Sequence, residues 1–123
     1  MIALDTNIIS GLMNGTLDRL PDGDLYIPYV VQAEIYFGVA AGNNPNKYKQ
    51  VADAILNLEN MNLSPGIDVD TRDVYVSIAA YLREKGTPIS PNDLWIAAEC
   101  ISLGLPLHTL DRDFDRVPQL QKV

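Results

Sequence analysis

Ile2-Ala3-Leu4-Asp5-Thr6-Asn7 passes within a few residues from an apolar run to a polar triplet that can open a helix. The apolar part reads as a short buried strand. Asp5, Thr6 and Asn7 each carry a side chain able to accept from the free N–H groups of a helix's first turn, so any of them can serve as its cap. A helix is expected over 7–13, stopping near Asn14-Gly15. A strand running straight into a helix, with an acid at the junction, sets the expectation for the rest of the chain.

Downstream the same unit recurs. Pro21, Asp22, Gly23 and Asp24 supply turn chemistry. Leu25-Tyr26-Ile27-Pro28 reads as a second strand closed by proline. Residues 30–41 read as a helix with Gly42 past its end, and Val30, Ala33, Glu34, Phe37 and Ala41 recur at helical spacing, placing Glu34 on or beside an apolar face. After a loop at Asn43-Asn44-Pro45-Asn46, residues 47–58 form a helix with Val51, Ala54, Ile55 and Leu58 as its stripe. A third strand is expected at 61–64, closed by Pro65-Gly66. A helix over 70–85 carries Val74, Ile78, Tyr81 and Leu82 inward and stops at Gly86. Ser90-Pro91-Asn92-Asp93 is a helix start with a capping serine, a first-turn proline and an acid three residues on. That helix runs to about Leu103 and ends at Gly104. A fourth strand is expected at 105–109, and a fifth at the edge at 120–123. Strands alternating with helices predict an α/β fold with a parallel sheet flanked by helices. No linker or repeat divides residues 1–123, so one domain is expected.

A chain of 123 residues with 47% hydrophobic content is long enough for a proper core. No apolar run approaches the roughly 18 residues of a membrane span. Met1 to Asp5 reaches a charge at once without a basic leader, so no signal peptide and a cytoplasmic location are expected. A single cysteine, Cys100, excludes an internal disulfide and reads as a buried structural thiol. The net charge of −7 argues against general electrostatic binding of nucleic acid, which requires a basic face. It leaves room for an acidic site in which a bound dication restores positive potential where a phosphate sits. It also suits a basic protein partner.

Four acidic segments stand apart: Asp5, Glu34, Asp93, and Asp111 with Asp113. Brought together, such carboxylates repel, and a divalent cation is the usual compensation. Hard oxygen ligands without a thiolate or imidazole cluster point to Mg²⁺ or Mn²⁺ rather than zinc. In parallel sheets ligands bind at the carboxyl ends of the strands, where Asp5 and Asp111 are expected and where Asp93, opening a helix, can face. Taken singly, the segments have plainer readings. Asp5 is a cap, Ser90-x-x-Asp93 matches a capping box, and Asp111, Asp113 and Asp115 alternate with Arg112 and Arg116 as a solvated turn would. Glu34 has no basic neighbour within one helical turn and resists such a reading. Other chemistries lack their parts. His108 is the lone histidine and reads as a strand end. No phosphate-cradling glycine loop is present. A phosphatase or phosphoacceptor would need a lysine near a strand end. Tyr36, Tyr75, Tyr81 and Trp95 read as core or rim packing. Arg112, Arg116, Arg83 and Lys85 are candidate phosphate contacts.

Leu4-Asp5-Thr6-Asn7, Ala33-Glu34-Ile35-Tyr36-Phe37-Gly38, Asn92-Asp93-Leu94-Trp95-Ile96-Ala97-Ala98 and Thr109-Leu110-Asp111-Arg112-Asp113-Phe114, in this order, resemble the four motifs of PIN-domain ribonucleases, in particular the small VapC-type toxins of toxin–antitoxin pairs. The resemblance spans essentially the whole chain. It implies a PIN-like domain with a short parallel sheet of about four to five strands, and a Mg²⁺- or Mn²⁺-dependent endoribonuclease activity. It assigns Asp5, Glu34 and Asp93 to holding metal or the attacking water, and Asp111 to completing the cluster. Asp113 matches an acid of less fixed role. Thr6, Asn7 and Thr109 match polar residues that position the acids or the phosphate. Leu110 departs from the pattern, since a polar residue is frequent there. The resemblance further implies an RNA substrate, a cognate antitoxin whose C-terminal segment covers the groove, and a homodimer. The alternative is a catalytically silent PIN-like module that binds protein or RNA.

Overall fold

The computed structural model describes all residues, Met1–Val123. Four parallel strands form the sheet: β1 (Ile2–Leu4), β2 (Leu25–Ile27), β3 (Met61–Leu63) and β4 (Leu107–His108). Five helices connect and cover them: α1 (Thr6–Asn14), α2 (Tyr29–Ala41), α3 (Pro45–Leu56), α4 (Val69–Lys85) and α5 (Pro91–Leu103). The strand order is β3-β2-β1-β4, with Ile2 opposite Leu25 and Leu4 opposite His108. The chain steps outward from β1 to β2 to β3, then returns to place β4 on the other side of β1. The direction of winding therefore reverses between β1 and β4, and in parallel sheets the region outside the carboxyl ends of such a strand pair is where ligands bind. That reversal positions the site.

The expected edge strand at 120–123 is present only as a parallel bridge between Lys122 and Leu107. The N–H of Leu120 is committed to Val117 in a turn, so only the last residues can reach the edge. The loop expected before α3 is in part its first turn. Asn44 caps the helix by accepting from the Lys47 N–H, and Pro45 occupies the first helical position, where its missing N–H costs nothing. Gly86 and Gly104 end α4 and α5 in left-handed conformations, at φ 70° and 68°, which only glycine adopts cheaply.

The core is one cluster built from Leu4, Ile8, Ile9, Leu25, Ile27, Val31, Ile96, Leu107 and Phe114 among others. Each such side chain contributes about 1.5–3 kcal/mol by leaving water. Ile78 and Leu82 of α4 are buried as expected, with Val74 and Tyr81 half-buried beside them. Two stripes differ from expectation. In α2 the buried face is Val31, Ile35 and Val39, while Ala33 is exposed and Phe37 is 75% exposed. Apolar residues surround most of this helix, so periodicity offers two faces and tertiary packing chooses between them. In α3 the buried residues are Ala52, Ile55 and Leu56 and Ala54 faces solvent; the helix ends at Leu56, short of the expected residue 58, so the exposed Leu58 lies past its end. Tyr75 stacks on Trp95 where α4 packs on α5, with ring centroids 3.9 Å apart, so both serve packing. Cys100 is fully buried, and burial pushes its thiol up, out of the reactive range.

One buried charge was not anticipated. Glu99, on α5, is 3% exposed. It accepts from the Tyr26 hydroxyl at 2.6 Å and from the Tyr29 N–H at the start of α2 at 3.0 Å. A carboxylate at a helix N-terminus is favourably placed against the free N–H groups there. Glu99 thereby pins α5 to β2 and to α2.

Candidate metal centre

Asp5 follows β1 directly and is 4% exposed. Its backbone N–H pairs with His108, so the strand ladder holds it in place. Its Oδ1 accepts from the Thr6 N–H at 2.8 Å, which makes it the cap of α1. Its Oδ2 accepts from the Thr109 hydroxyl at 2.6 Å and from Asn7 Nδ2 at 3.2 Å. Asn7 also accepts from the Leu110 N–H through Oδ1. The apolar Leu110 side chain, 62% exposed, is not used in this latch; its backbone is. Thr109 also accepts from the Asp111 N–H at 3.0 Å. The end of β1 and the end of β4 are thus cross-tied.

Glu34 joins this group from the second turn of α2. The Thr6 hydroxyl donates to its Oε1 at 2.6 Å, and Asn92 Nδ2 donates to its Oε2 at 3.3 Å. Its partners are neutral donors, and no cation pairs with it. Asn92 is a contact the sequence reading missed. Its position next to Asp93 was the available signal.

Asp93 lies in the first turn of α5, where Ser90 Oγ accepts from the Asp93 N–H at 3.2 Å. The carboxylate does not return a bond to the Ser90 N–H, so only half of the expected capping box forms. Asp111 caps a single 3₁₀ turn, Arg112–Arg116, accepting from the Asp113 N–H at 2.8 Å. The plainer reading of this segment as a solvated charged turn does not describe it, because Phe114 anchors it and is fully buried. Only its outer charges are solvated, with Asp115 paired to Lys122.

Carboxylate oxygens of Asp93, Asp111 and Asp113 lie within 4.8 Å of one another. Asp113, which the motif leaves without a fixed role, is therefore part of the acidic group whose oxygens come together, while Asp5 is buried and is joined to the half-buried Glu34 through Thr6. Burial first, and the neighbouring charges second, raise the proton affinities within the set. Burial, followed by the charges of Asp5, Asp111 and Glu34, pushes the Asp93 carboxyl up to about 6. Burial also raises Asp5, against the donors Thr109 and Thr6, with Glu34 and Asp111 adding to the rise. No ion pair neutralises Asp5, Glu34, Asp93 or Asp111; Arg116 stands 3.6 Å from Asp113 alone. An oxygen-only set of uncompensated carboxylates, with no sulfur or imidazole, fits a hard divalent cation.

The basic candidates have different surroundings. Arg112 is exposed and makes no ion pair. Arg116 donates to the Pro88 carbonyl at 2.9 Å and faces Asp113, so its guanidinium is already engaged. Arg83 and Lys85 lie exposed on the last turn of α4, with the Lys85 ammonium 5.7 Å from the Tyr81 ring centroid.

A strand-end acid, a helix glutamate and an acidic cluster thus stand near one another at the winding reversal of a short parallel sheet in a compact α/β protein. Residues 2–120 match the PIN domain model, and the chain belongs to the PIN-domain family. It is 34% identical to Ribonuclease VapC1 of Haemophilus influenzae (strain R2866) over 129 residues, covering 96% of this chain and 92% of that one. It is 32% identical to Ribonuclease VapC5 of Mycobacterium tuberculosis over 114 residues, covering 90% and 83%. Among solved structures it resembles VapBC2 from Rickettsia felis bound to a DNA fragment from their promoter, with TM-score 0.89 and 25% identity over 100% of this chain and 98% of that chain. It also resembles VapBC-1 from nontypeable Haemophilus influenzae, with TM-score 0.85 and 29% identity over 100% and 97%. The expected PIN-like α/β fold is the observed one.

Proposed function

We propose that this chain is a metal-dependent endoribonuclease, the toxin component of a toxin–antitoxin pair, and that Asp5, Glu34, Asp93 and Asp111 hold Mg²⁺ or Mn²⁺ with Asp113 beside them. The observation that carries this reading is the cluster of Asp93, Asp111 and Asp113 within 4.8 Å, without a neutralising cation on Asp93 or Asp111, with Asp5 and Glu34 tied to its flanks through Thr109, Thr6 and Asn92. A bound dication supplies a more acidic water and offsets phosphate charge. The chain's own residues do the rest. Thr109, Asn7 and Thr6 fix the Asp5 carboxylate through both oxygens. Thr6 and Asn92 hold Glu34 in place. Arg112, exposed and unpaired beside Asp111, is placed to meet the RNA backbone.

Likeness to VapBC structures supports an antitoxin partner, and the chain's acidic cluster suits a basic segment of such a partner by charge. A homodimer and a cytoplasmic location belong to the same reading. No helix is long and apolar enough to cross a membrane.

The test is cleavage of a panel of structured RNAs by the purified chain. Internal cleavage is expected, stopped by excess chelator and restored by Mg²⁺ or Mn²⁺. RNA that stays intact across the panel with either metal would favour the silent binding module instead.

A further inference from the structure

Arg116 joins the two segments that carry the acidic cluster. One guanidinium nitrogen donates to the carbonyl of Pro88, in the loop leading to Ser90 and Asp93, at 2.9 Å. The other lies 3.6 Å from Asp113 Oδ1, on the 3₁₀ turn capped by Asp111. The carboxylates of Asp93, Asp111 and Asp113 repel one another across the gap that these two segments bound. No backbone hydrogen bond links the loop 87–89 to the 3₁₀ turn, and the Arg116 side chain supplies that tie. The guanidinium is planar and carries donors in a fixed fork, so it can serve a carbonyl and a carboxylate at once; a lysine ammonium on a flexible stem cannot reproduce this geometry.

We infer that Arg116 is a positioning residue for the metal cluster, holding the Asp93 segment against the Asp111–Asp113 segment, and is not a contact to the RNA phosphate. This rests on the metal reading of the site. It also revises the expectation for Arg116 drawn from sequence, because the side chain already donates to the Pro88 carbonyl and lies 3.6 Å from the Asp113 carboxylate.

Partners that orient metal ligands typically change metal affinity by about 10–100-fold when removed. The test is Mn²⁺ binding to wild type, Arg116→Ala and Arg116→Lys, by calorimetry or by the signal of free Mn²⁺, with melting of the metal-free proteins alongside. The Mn²⁺ dissociation constant is expected to rise about tenfold or more in Arg116→Ala and to recover only in part in Arg116→Lys. Melting without metal should change little, and saturating Mn²⁺ should restore kcat with an unaltered KM for RNA. Should the alanine variant melt far below wild type, the lysine variant, which keeps stem and charge, decides on the same readout. Unchanged Mn²⁺ affinity together with a raised KM and a salt slope shallower by about one would make Arg116 a phosphate contact and overturn the inference. Equal Mn²⁺ affinity in all three proteins would overturn it too. Wild type that binds no Mn²⁺ would instead remove the metal reading beneath it.

Discussion

The hydroxyl of Thr109, just beyond β4, donates a 2.6 Å hydrogen bond to Asp5 Oδ2, just beyond β1, across 104 residues of chain. The same oxygen of Thr109 accepts from Asn7 Nδ2 and from the Asp111 N–H. One hydroxyl therefore sets the orientation of one acid and the backbone of another. Replacing Thr109 by valine keeps the shape and removes the donor and acceptor. Metal affinity and cleavage should each fall about 10–100-fold, whereas Thr109→Ser should stay near wild type. Cleavage by Thr109→Val within twofold of wild type would show that Asp5 needs no such orientation.

Asp93, raised to about 6, gives the metal-free protein a pH dependence of definite sign. Between about pH 4 and about pH 6 the folded chain binds more protons at this group than the unfolded chain does. Stability therefore falls as pH rises through that window. Asp5, also raised, acts in the same direction. Screening at this half-buried rim leaves the Asp93 contribution on the order of 1 kcal/mol. Metal-free protein should melt higher at pH 5 than at pH 7.5, and added Mn²⁺ should narrow or reverse the difference, because the cation competes with protons for the same oxygens. A melting temperature that climbs from pH 5 to pH 7.5 without metal would contradict the repulsion inferred for the cluster.

Glu99 is buried and serves two donors, the Tyr26 hydroxyl and the Tyr29 N–H. Burial and this bond to the carboxylate push the Tyr26 phenol up to about 12. Glu99→Ala leaves both donors without a partner and should cost about 2–5 kcal/mol in urea unfolding. Glu99→Gln, which still accepts one bond, should lose less. A double-mutant cycle with Tyr26→Phe should show coupling of about 1 kcal/mol or more. Additive losses would mean that the two side chains do not act together.

The inward face of α2 is open to direct measurement. Ile35→Ala should destabilise by about 2–5 kcal/mol, while Phe37→Ser, at a side chain 75% exposed, should change the metal-free chain by roughly 0.5 kcal/mol or less. A large loss at Phe37 would restore the face that helical spacing first suggests.

That helix marks where the sequence stops being legible. Strand and helix order could be read because apolar runs, caps and glycine stops are local signals: Gly86, Gly104 and Ser90 each do locally what their chemistry suggests. Asp5, Asp93 and Asp111 could be picked out because each stands at a strand end or a helix start, and Glu34 because its own helix offers it no basic neighbour. The face of α2 could not be chosen, since its apolar residues surround the axis and only packing against α1, α3 and α5 selects Val31, Ile35 and Val39. Glu99 was hidden because its donors lie 73 and 70 residues away. The anchoring of Asp113 depends on Phe114 turning inward, a tertiary event that an alternating run of acids and arginines masks.

Asp93→Asn probes whether the carboxylates forced together here serve a cation used on RNA. Asparagine keeps the size of the side chain and removes one charge from the crowded set. Measured side by side, RNA cleavage should vanish while the melting temperature of the metal-free protein stays the same or rises, because repulsion has been relieved. Cleavage at the wild-type rate in the folded Asp93→Asn protein would contradict the account.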